Sequence, residues 1–378
     1  MFKLSSPKAL SKNEILFVLA MWLLSRLVII VAMQWVAPLI FTDPVHPEWE
    51  SDSSPNGFIP GYIPRAGWEV FSHWDGKWYS SIANGGYEYV KDGLQHSVAF
   101  FPLFPLLIHL AMGVGLPFEV AGLLINNLAF LGALVVLYLW VKESQDDRVA
   151  RWAVLVLAWC PASLFGTVIY TEGLFLLVST QSLRSFDQHL YGWAAFWGFL
   201  ASATRVPGMA LMPAFLFIAW RERRPLIAYI TALVTTGGLI SYCVYTTVQF
   251  DDPLAFFHAR AGWNNPTWLD SIKGALTLDQ PSLLSLAALL VSFILLWYLR
   301  LELPPVATVY GLLVLVLLLT AGPASFYRYL YGTVSLSFGL GILLSRHFRV
   351  GYGVIGFFAV SLFAEALHFA SWDWIRWD

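Results

Sequence analysis

The residues best equipped for chemistry gather in one polar island, Ser72 to Pro105, SHWDGKWYSSIANGGYEYVKDGLQHSVAFFPLFP. Asp75 stands there among His73, Lys77 and three aromatics, Trp74, Trp78 and Tyr79. A carboxylate within hydrogen-bond reach of a hydroxyl can take its proton as that hydroxyl attacks. Arginines offer the complementary function, since the planar guanidinium grips phosphate and stabilises charge developing on a phosphate leaving group. Candidates lie downstream: Arg205 in Thr204-Arg205-Val206-Pro207-Gly208 and Arg328 in Phe326-Tyr327-Arg328-Tyr329. Glu172 follows Tyr170-Thr171, and a later polar stretch adds His258, Arg260 and Trp263. One carboxylate with two or three arginines at a membrane surface suits group transfer from an anionic lipid. Trp74, Trp78 and Tyr79 could border this chemistry or form only an interfacial aromatic belt.

The elements that must position these groups are apolar. Of 378 residues, 58% are hydrophobic and 12% charged, with a mean hydropathy of +0.65. That composition, with runs near the ~20 residues needed to cross a bilayer, predicts an all-α polytopic membrane protein. The net charge of −2 and the lack of a basic stripe argue against a nucleic-acid partner. Cys160 and Cys243 both fall inside apolar runs, so no disulfide framework is implied. No Walker motif, dinucleotide fingerprint, zinc spacing or nucleophile elbow occurs, so a soluble nucleotide donor is unsupported. No cofactor is predicted, and the pattern leaves room for a divalent cation.

A single membrane domain over residues 1–378 is expected, with about eleven spans. These lie near 15–36, 119–141, 150–168, 173–186, 190–204, 208–220, 226–248, 282–300, 305–322, 330–346 and 350–368. Lys3, Lys8 and Lys12 lead into a first apolar run too long for a signal-peptide core and without a small-residue cleavage site, which predicts a retained span. Arg26, in the middle of that run, is expected to face a partner or a polar cavity, because a lone arginine there costs roughly 2.5–3.5 kcal/mol. Residues 38–98 form a long first outer loop with room for interfacial helices, and 249–281 a second.

The run 99–115 contains Pro102 and Pro105 and would reach about 25 Å, short of the ~30 Å hydrocarbon core. It is expected to be re-entrant or interfacial. With that parity, Lys142, Arg148, Arg151, Arg184, the Arg221–Arg224 cluster, Arg300, Arg346 and Arg349 join the amino-terminal lysines on the cytoplasmic side. The other side keeps Arg65, Lys77, Lys91, Arg205, Arg260, Lys273, Arg328 and Arg376, together with Asp75 and Glu172.

At these residues the chain resembles the GPI mannosyltransferase 2 (PIG-V-like) family of GT-C glycosyltransferases. The likeness is an ordered series: Ser72-His73-Trp74-Asp75, Ile82-Ala83 to Gly86-Tyr87, and Ala99-Phe100-Phe101-Pro102 with Phe104-Pro105. It continues through Pro161-Ala162 and Phe165, Tyr170 with Glu172, and Ala203 to Arg205 with Gly208. The strong part covers roughly residues 68–215.

The resemblance implies a GT-C fold and transfer, with inversion, from a polyprenyl-phosphate sugar at the non-cytoplasmic face, typically dolichyl-phosphate mannose, to a glycolipid or glycan acceptor. By position Asp75 would be the base. His73 and Glu172 would orient acceptor or base, and Arg205 and Arg328, with Lys77, would hold the lipid phosphate. The expected home is an integral position in the plasma or inner membrane or the endoplasmic reticulum, with the amino terminus cytoplasmic. Pro207 stands where the family's Arg-x-Asn-Gly segment has Asn, and the chain is short for eukaryotic members, so the acceptor stays open. A rival reading is a flippase for a lipid-linked sugar, which would use Arg26 and the interrupted helices without chemistry.

Overall fold

The computed structural model describes residues 10–40, 66–263, 266–323 and 325–371. Lys3, Lys8, Arg65, Arg376 and residues 41–65 of the first outer loop lie outside them. All regular structure among the described residues is helical.

Helix α1 (Lys12–Val31) opens where the Glu14 carboxylate accepts from the Ser11 amide at 2.9 Å, satisfying a donor at the helix start. It runs through a wider π turn at Ala32–Val36 into α2 (Ala37–Ile40), which carries Pro38, a residue with no N–H for the helical ladder. The segment predicted as the first outer loop holds a 3-10 turn at Trp68–Ser72, helix α3 (Asp75–Gly85) and a second 3-10 turn at Ser97–Ala99. Helix α4 (Leu103–Gly113) begins directly after Pro102. At 1.5 Å per residue it is roughly 16 Å long, about half a bilayer core.

Helix α5 (Phe118–Ser144) turns through Asp146, whose carboxylate caps α6 (Asp147–Trp159) by accepting from the Val149 amide at 2.8 Å. Pro161 ends α6 and starts a 3-10 segment, Pro161–Gly166, so the run predicted as one span over 150–168 changes form at its carboxy-terminal end. Next come α7 (Glu172–Asp187) and α8 (Tyr191–Ser202). Arg205 sits between α8 and the 3-10 turn Val206–Ala210, which feeds α9 (Leu211–Arg221). The predicted span at 226–248 divides at Thr235-Thr236 into α10 (Leu226–Val234) and α11 (Gly237–Phe250).

The segment predicted as the second outer loop holds α12 (Ala255–Arg260) and α13 (Trp268–Leu276). Helices α14 (Gln280–Tyr298) and α15 (Pro305–Ala321) follow, then short α16 (Phe326–Gly332), α17 (Val334–Arg346) and α18 (Phe348–Ser371). Five helical stretches are long and apolar enough to cross a membrane by those criteria: Lys12–Ile40, Phe118–Ser144, Leu226–Phe250, Gln280–Tyr298 and Phe348–Ser371. The other predicted spans are helical but shorter.

Contacts between helix ends gather charges into two sets. At one end Lys142 pairs with Glu14, Arg184 with Glu143 and Arg346 with Glu302, while Gln145 donates to the Glu302 carbonyl at 2.7 Å. At the other end Asp75, Glu172, Arg205 and Arg328 meet.

Arg26 belongs to neither set. Its Nη1 donates to the Ser163 carbonyl and its Nη2 to the Ser163 hydroxyl, both at 2.9 Å, and the guanidinium lies 4.6 Å from the Phe130 ring centroid. The partner expected for Arg26 is thus Ser163, by its carbonyl and hydroxyl, in the 3-10 segment that follows α6.

Candidate active site

The 3-10 turn Trp68–Ser72 is tied down by its end, where the Ile169 amide donates to the Phe71 carbonyl at 2.9 Å. His73 then plugs into the protein. Its Nδ1–H donates to the Phe369 carbonyl at 3.1 Å and its ring stacks on Phe369 with centroids 5.7 Å apart. Trp74 turns the chain with φ +55° and ψ −116°, a conformation that costs a non-glycine residue about 1–3 kcal/mol. That turn starts α3 and sets Asp75 at its first position. The Asp75 amide donates to the Tyr170 hydroxyl at 3.3 Å.

Asp75 is joined through Arg328 to a group of four charges. Arg328 reaches both carboxylates: Nη1 lies 2.6 Å from Asp75 Oδ2, and Nε lies 2.7 Å from Glu172 Oε1. Arg205 bonds the same Glu172 oxygen and, at 3.2 Å, the Thr171 hydroxyl. Each arginine also covers a ring, Arg328 over Tyr170 at 4.5 Å and Arg205 over Tyr329 at 5.2 Å. Glu172 has no exposed surface. A carboxylate so buried is tolerable only with close cationic partners, and two guanidiniums supply them.

The turn into α7 that fixes Glu172 depends on a residue that sequence reasoning passed over. Asn126, fully buried in α5, accepts from the Gly173 amide at 2.9 Å. It donates to the Phe165 and Val168 carbonyls at 2.8 and 2.7 Å. A Cβ on Gly173 would lie 2.5 Å from the Asn126 carbonyl and side-chain oxygens, so only glycine lets the two backbones approach this closely. The available signal was an Asn126-Asn127 pair inside an otherwise apolar run.

Asp75, Tyr79, Arg205 and Arg328 line a cavity of about 350 Å³, together with Arg260, Trp263, Tyr329 and the Phe100-Phe101 pair. Other predicted site residues stand back from it. His73, expected to orient acceptor or base, is buried against Phe369. Burial holds its imidazole mostly neutral, with a pKa lowered from 6.5 to about 4. Glu172, given the same role, instead holds the two arginines. Partial desolvation also lowers the Lys77 ammonium, although the residue is exposed, and Lys77 is not among the lining residues. Trp78 sits behind the wall, stacked on Phe100 at 5.7 Å and tilted against Trp263 at 5.8 Å. Tyr79 meets Phe100 and Phe104 edge-on, and Trp74 packs against the main core. Among the described residues no three His, Cys, Asp or Glu side chains converge as metal ligands.

Comparison with solved structures gives the fold. ArnT from Cupriavidus metallidurans, solved bound to undecaprenyl phosphate, superposes with a TM-score of 0.54 at 14% identity, covering 92% of this chain and 62% of ArnT. The Archaeoglobus fulgidus oligosaccharyltransferase in its apo form matches with a TM-score of 0.49 at 12% identity, over 94% of this chain and 56% of its own. The chain therefore spans less than two thirds of the length of either. Both are GT-C glycosyltransferases. No curated protein sequence matches. The family model described as Mannosyltransferase (PIG-V) matches residues 8–240, which include Asp75, Asn126, Glu172 and Arg205 and stop short of Arg260 and Arg328. Since that match takes in well over half the chain, the protein belongs to the PIG-V mannosyltransferase family.

Proposed function

We propose that the protein is an inverting mannosyltransferase that moves a sugar from a polyprenyl-phosphate donor to a lipid-linked or glycan acceptor at the non-cytoplasmic membrane face. One observation carries this reading: the Asp75 carboxylate faces a cavity whose wall also holds two arginines, Arg205 and Arg328. Family membership supports the sugar and the reaction class. The undecaprenyl phosphate in ArnT, a protein of similar fold, supports a polyprenyl-phosphate donor.

In the proposed reaction the acceptor hydroxyl attacks the anomeric carbon on the side opposite the phosphate. The new C–O bond forms as the bond to the phosphate oxygen breaks, which inverts the centre. The hydroxyl proton passes to Asp75. Hydrogen bonds from described residues reach only Oδ2 of that carboxylate, which leaves Oδ1 to accept it. The bonding pair leaves with the polyprenyl phosphate, and Arg205 and Arg328 provide a fixed positive field as charge builds there. Trp263 and Phe100, backed by Trp78, offer aromatic faces to a sugar ring.

The topology that suits this chemistry has about eleven spans, α4 dipping in without crossing, the amino terminus cytoplasmic and the cavity opening outward. Membranes carrying Asp75→Asn, supplied with labelled polyprenyl-phosphate mannose, should transfer no label while containing normal amounts of protein. Full transfer by that variant would remove Asp75 from the role. Movement of unaltered donor across liposomes by the purified wild type, without product, would favour a flippase.

A further inference from the structure

The four charges that meet at the cavity balance one another. Asp75 and Glu172 are matched by Arg205 and Arg328, and their ion pairs all lie within the set. A phosphate entering the cavity brings negative charge that this closed group has no spare cation to meet. Arginines engaged by two carboxylates also have less to offer a new anion, because binding it means weakening bonds already made in a desolvated place.

One more cation lines the same cavity, Arg260 at the end of α12. No carboxylate lies within ion-pair distance of it among the described residues. Tyr329 lines the same cavity, and Arg205 covers its ring from its own position. The next aromatic along the chain, Trp263, also lines the cavity and closes a cluster with Trp78 and Phe100.

The loop that carries Arg260 is anchored firmly. Asp252 accepts from the Tyr89 hydroxyl at 2.9 Å, from His258 Nδ1 at 2.7 Å and from the Leu254 amide at 3.0 Å. Ala255 and Ala259 bury against Val98. Gly262 approaches the backbone of Leu94 and Gln95 so closely that a Cβ would lie 2.3 Å from it. A lone, anchored guanidinium at a cavity wall is organised before any ligand arrives, which is what anion recognition needs.

The geometry points to Arg260 as the residue that receives the phosphate of the lipid donor, while Arg205 and Arg328 stay bound to their carboxylates. This inference rests on the donor class proposed above. Tyr89 is a positioning residue for it, acting through Asp252 on the attitude of α12.

The test is equilibrium binding of undecaprenyl phosphate, with undecaprenol as the uncharged control, to the full chain in nanodiscs. Arg260→Gln should weaken phosphate binding about ten- to hundredfold, the effect of losing a charge-assisted hydrogen bond, and leave undecaprenol binding unchanged. Arg260→Lys should recover part of the loss, and Arg221→Gln, at the opposite end of the protein, should match wild type. Tyr89→Phe should weaken phosphate binding less than Arg260→Gln. Wild-type affinity in Arg260→Gln would overturn the assignment. If the wild type fails to prefer the phosphate over the alcohol, the donor class falls and the inference with it. Asp75→Asn separates these from a fault in the catalytic reading, since it should lose transfer and keep the preference for phosphate.

Discussion

Nη1 of Arg328 lies 2.6 Å from Oδ2 of Asp75, joining residues 253 positions apart in the chain. The same guanidinium uses its Nε for Glu172, so the orientation of Asp75 is set by a side chain that is itself oriented by a buried acid. Two donors in a fixed fork are needed for this, which lysine lacks. Arg328→Lys should therefore lower kcat by on the order of a hundredfold while protein still accumulates in membranes. The check is initial rates with labelled polyprenyl-phosphate mannose at saturating donor; a rate within threefold of wild type would detach Arg328 from the chemistry.

Glu172 serves two arginines, whereas each arginine serves a carboxylate that keeps, or can keep, another partner. Removing the shared acid should cost more than removing one cation. Breaking a buried pair by deleting one partner costs about 3–5 kcal/mol, so Glu172→Gln should lower the melting temperature of detergent-purified protein further than Arg205→Gln does. The reverse order would mean that Glu172 does not hold the group together.

His73 makes stability depend on pH. Its pKa is lowered by burial from 6.5 to about 4, so between those values the unfolded chain takes up a proton that the folded protein refuses. The stabilisation is present above pH 6.5 and is lost as pH falls towards 4, amounting to about 3 kcal/mol across the window. His73→Asn can still donate to the Phe369 carbonyl but does not titrate. Melting temperatures measured from pH 7.5 to 4.5 should fall more steeply for wild type than for His73→Asn, and parallel curves would rule out the contribution.

Gly173→Ala places a methyl group 2.5 Å from the Asn126 oxygens, and the contact is to backbone, which cannot swing aside. Overpacking of this kind costs about 1–3 kcal/mol, and here it also moves the start of α7. Gly192→Ala, with nothing within 4 Å of the new carbon, is the matched control. Thermal denaturation should show a loss for the first and little for the second, and activity should fall with Gly173→Ala even at temperatures where it stays folded.

The amino-acid sequence made the helices legible because their signal is local. Apolar runs bounded by proline, glycine and charge lie where helices form, and Asp75, Arg205 and Arg328 stood out as charges beside them. Partner choice was harder to read. Whether His73 faces a cavity or a wall is decided by the Phe369 carbonyl, 296 residues away, and no pattern near His73 carries that information. Arg26 was legible as a residue needing a partner, but the partner is the carbonyl and hydroxyl of Ser163 in the 3-10 segment that follows α6, groups without a sequence signature. Asn126 was hidden for the same reason, since its bonds go to backbone groups of the turn it supports.

The pairing of Asp75 with Arg328 also has a consequence in time. A chain emerging from the ribosome grows at about 5–20 residues per second, so Asp75 exists for roughly 10–50 seconds before Arg328 is made. During that interval Glu172 can pair with Arg205, but the acid at the head of α3 lacks its cation. The cavity is therefore completed only when α16 arrives, late in biosynthesis, and an unfinished chain holds the acid without the arginine that aims it.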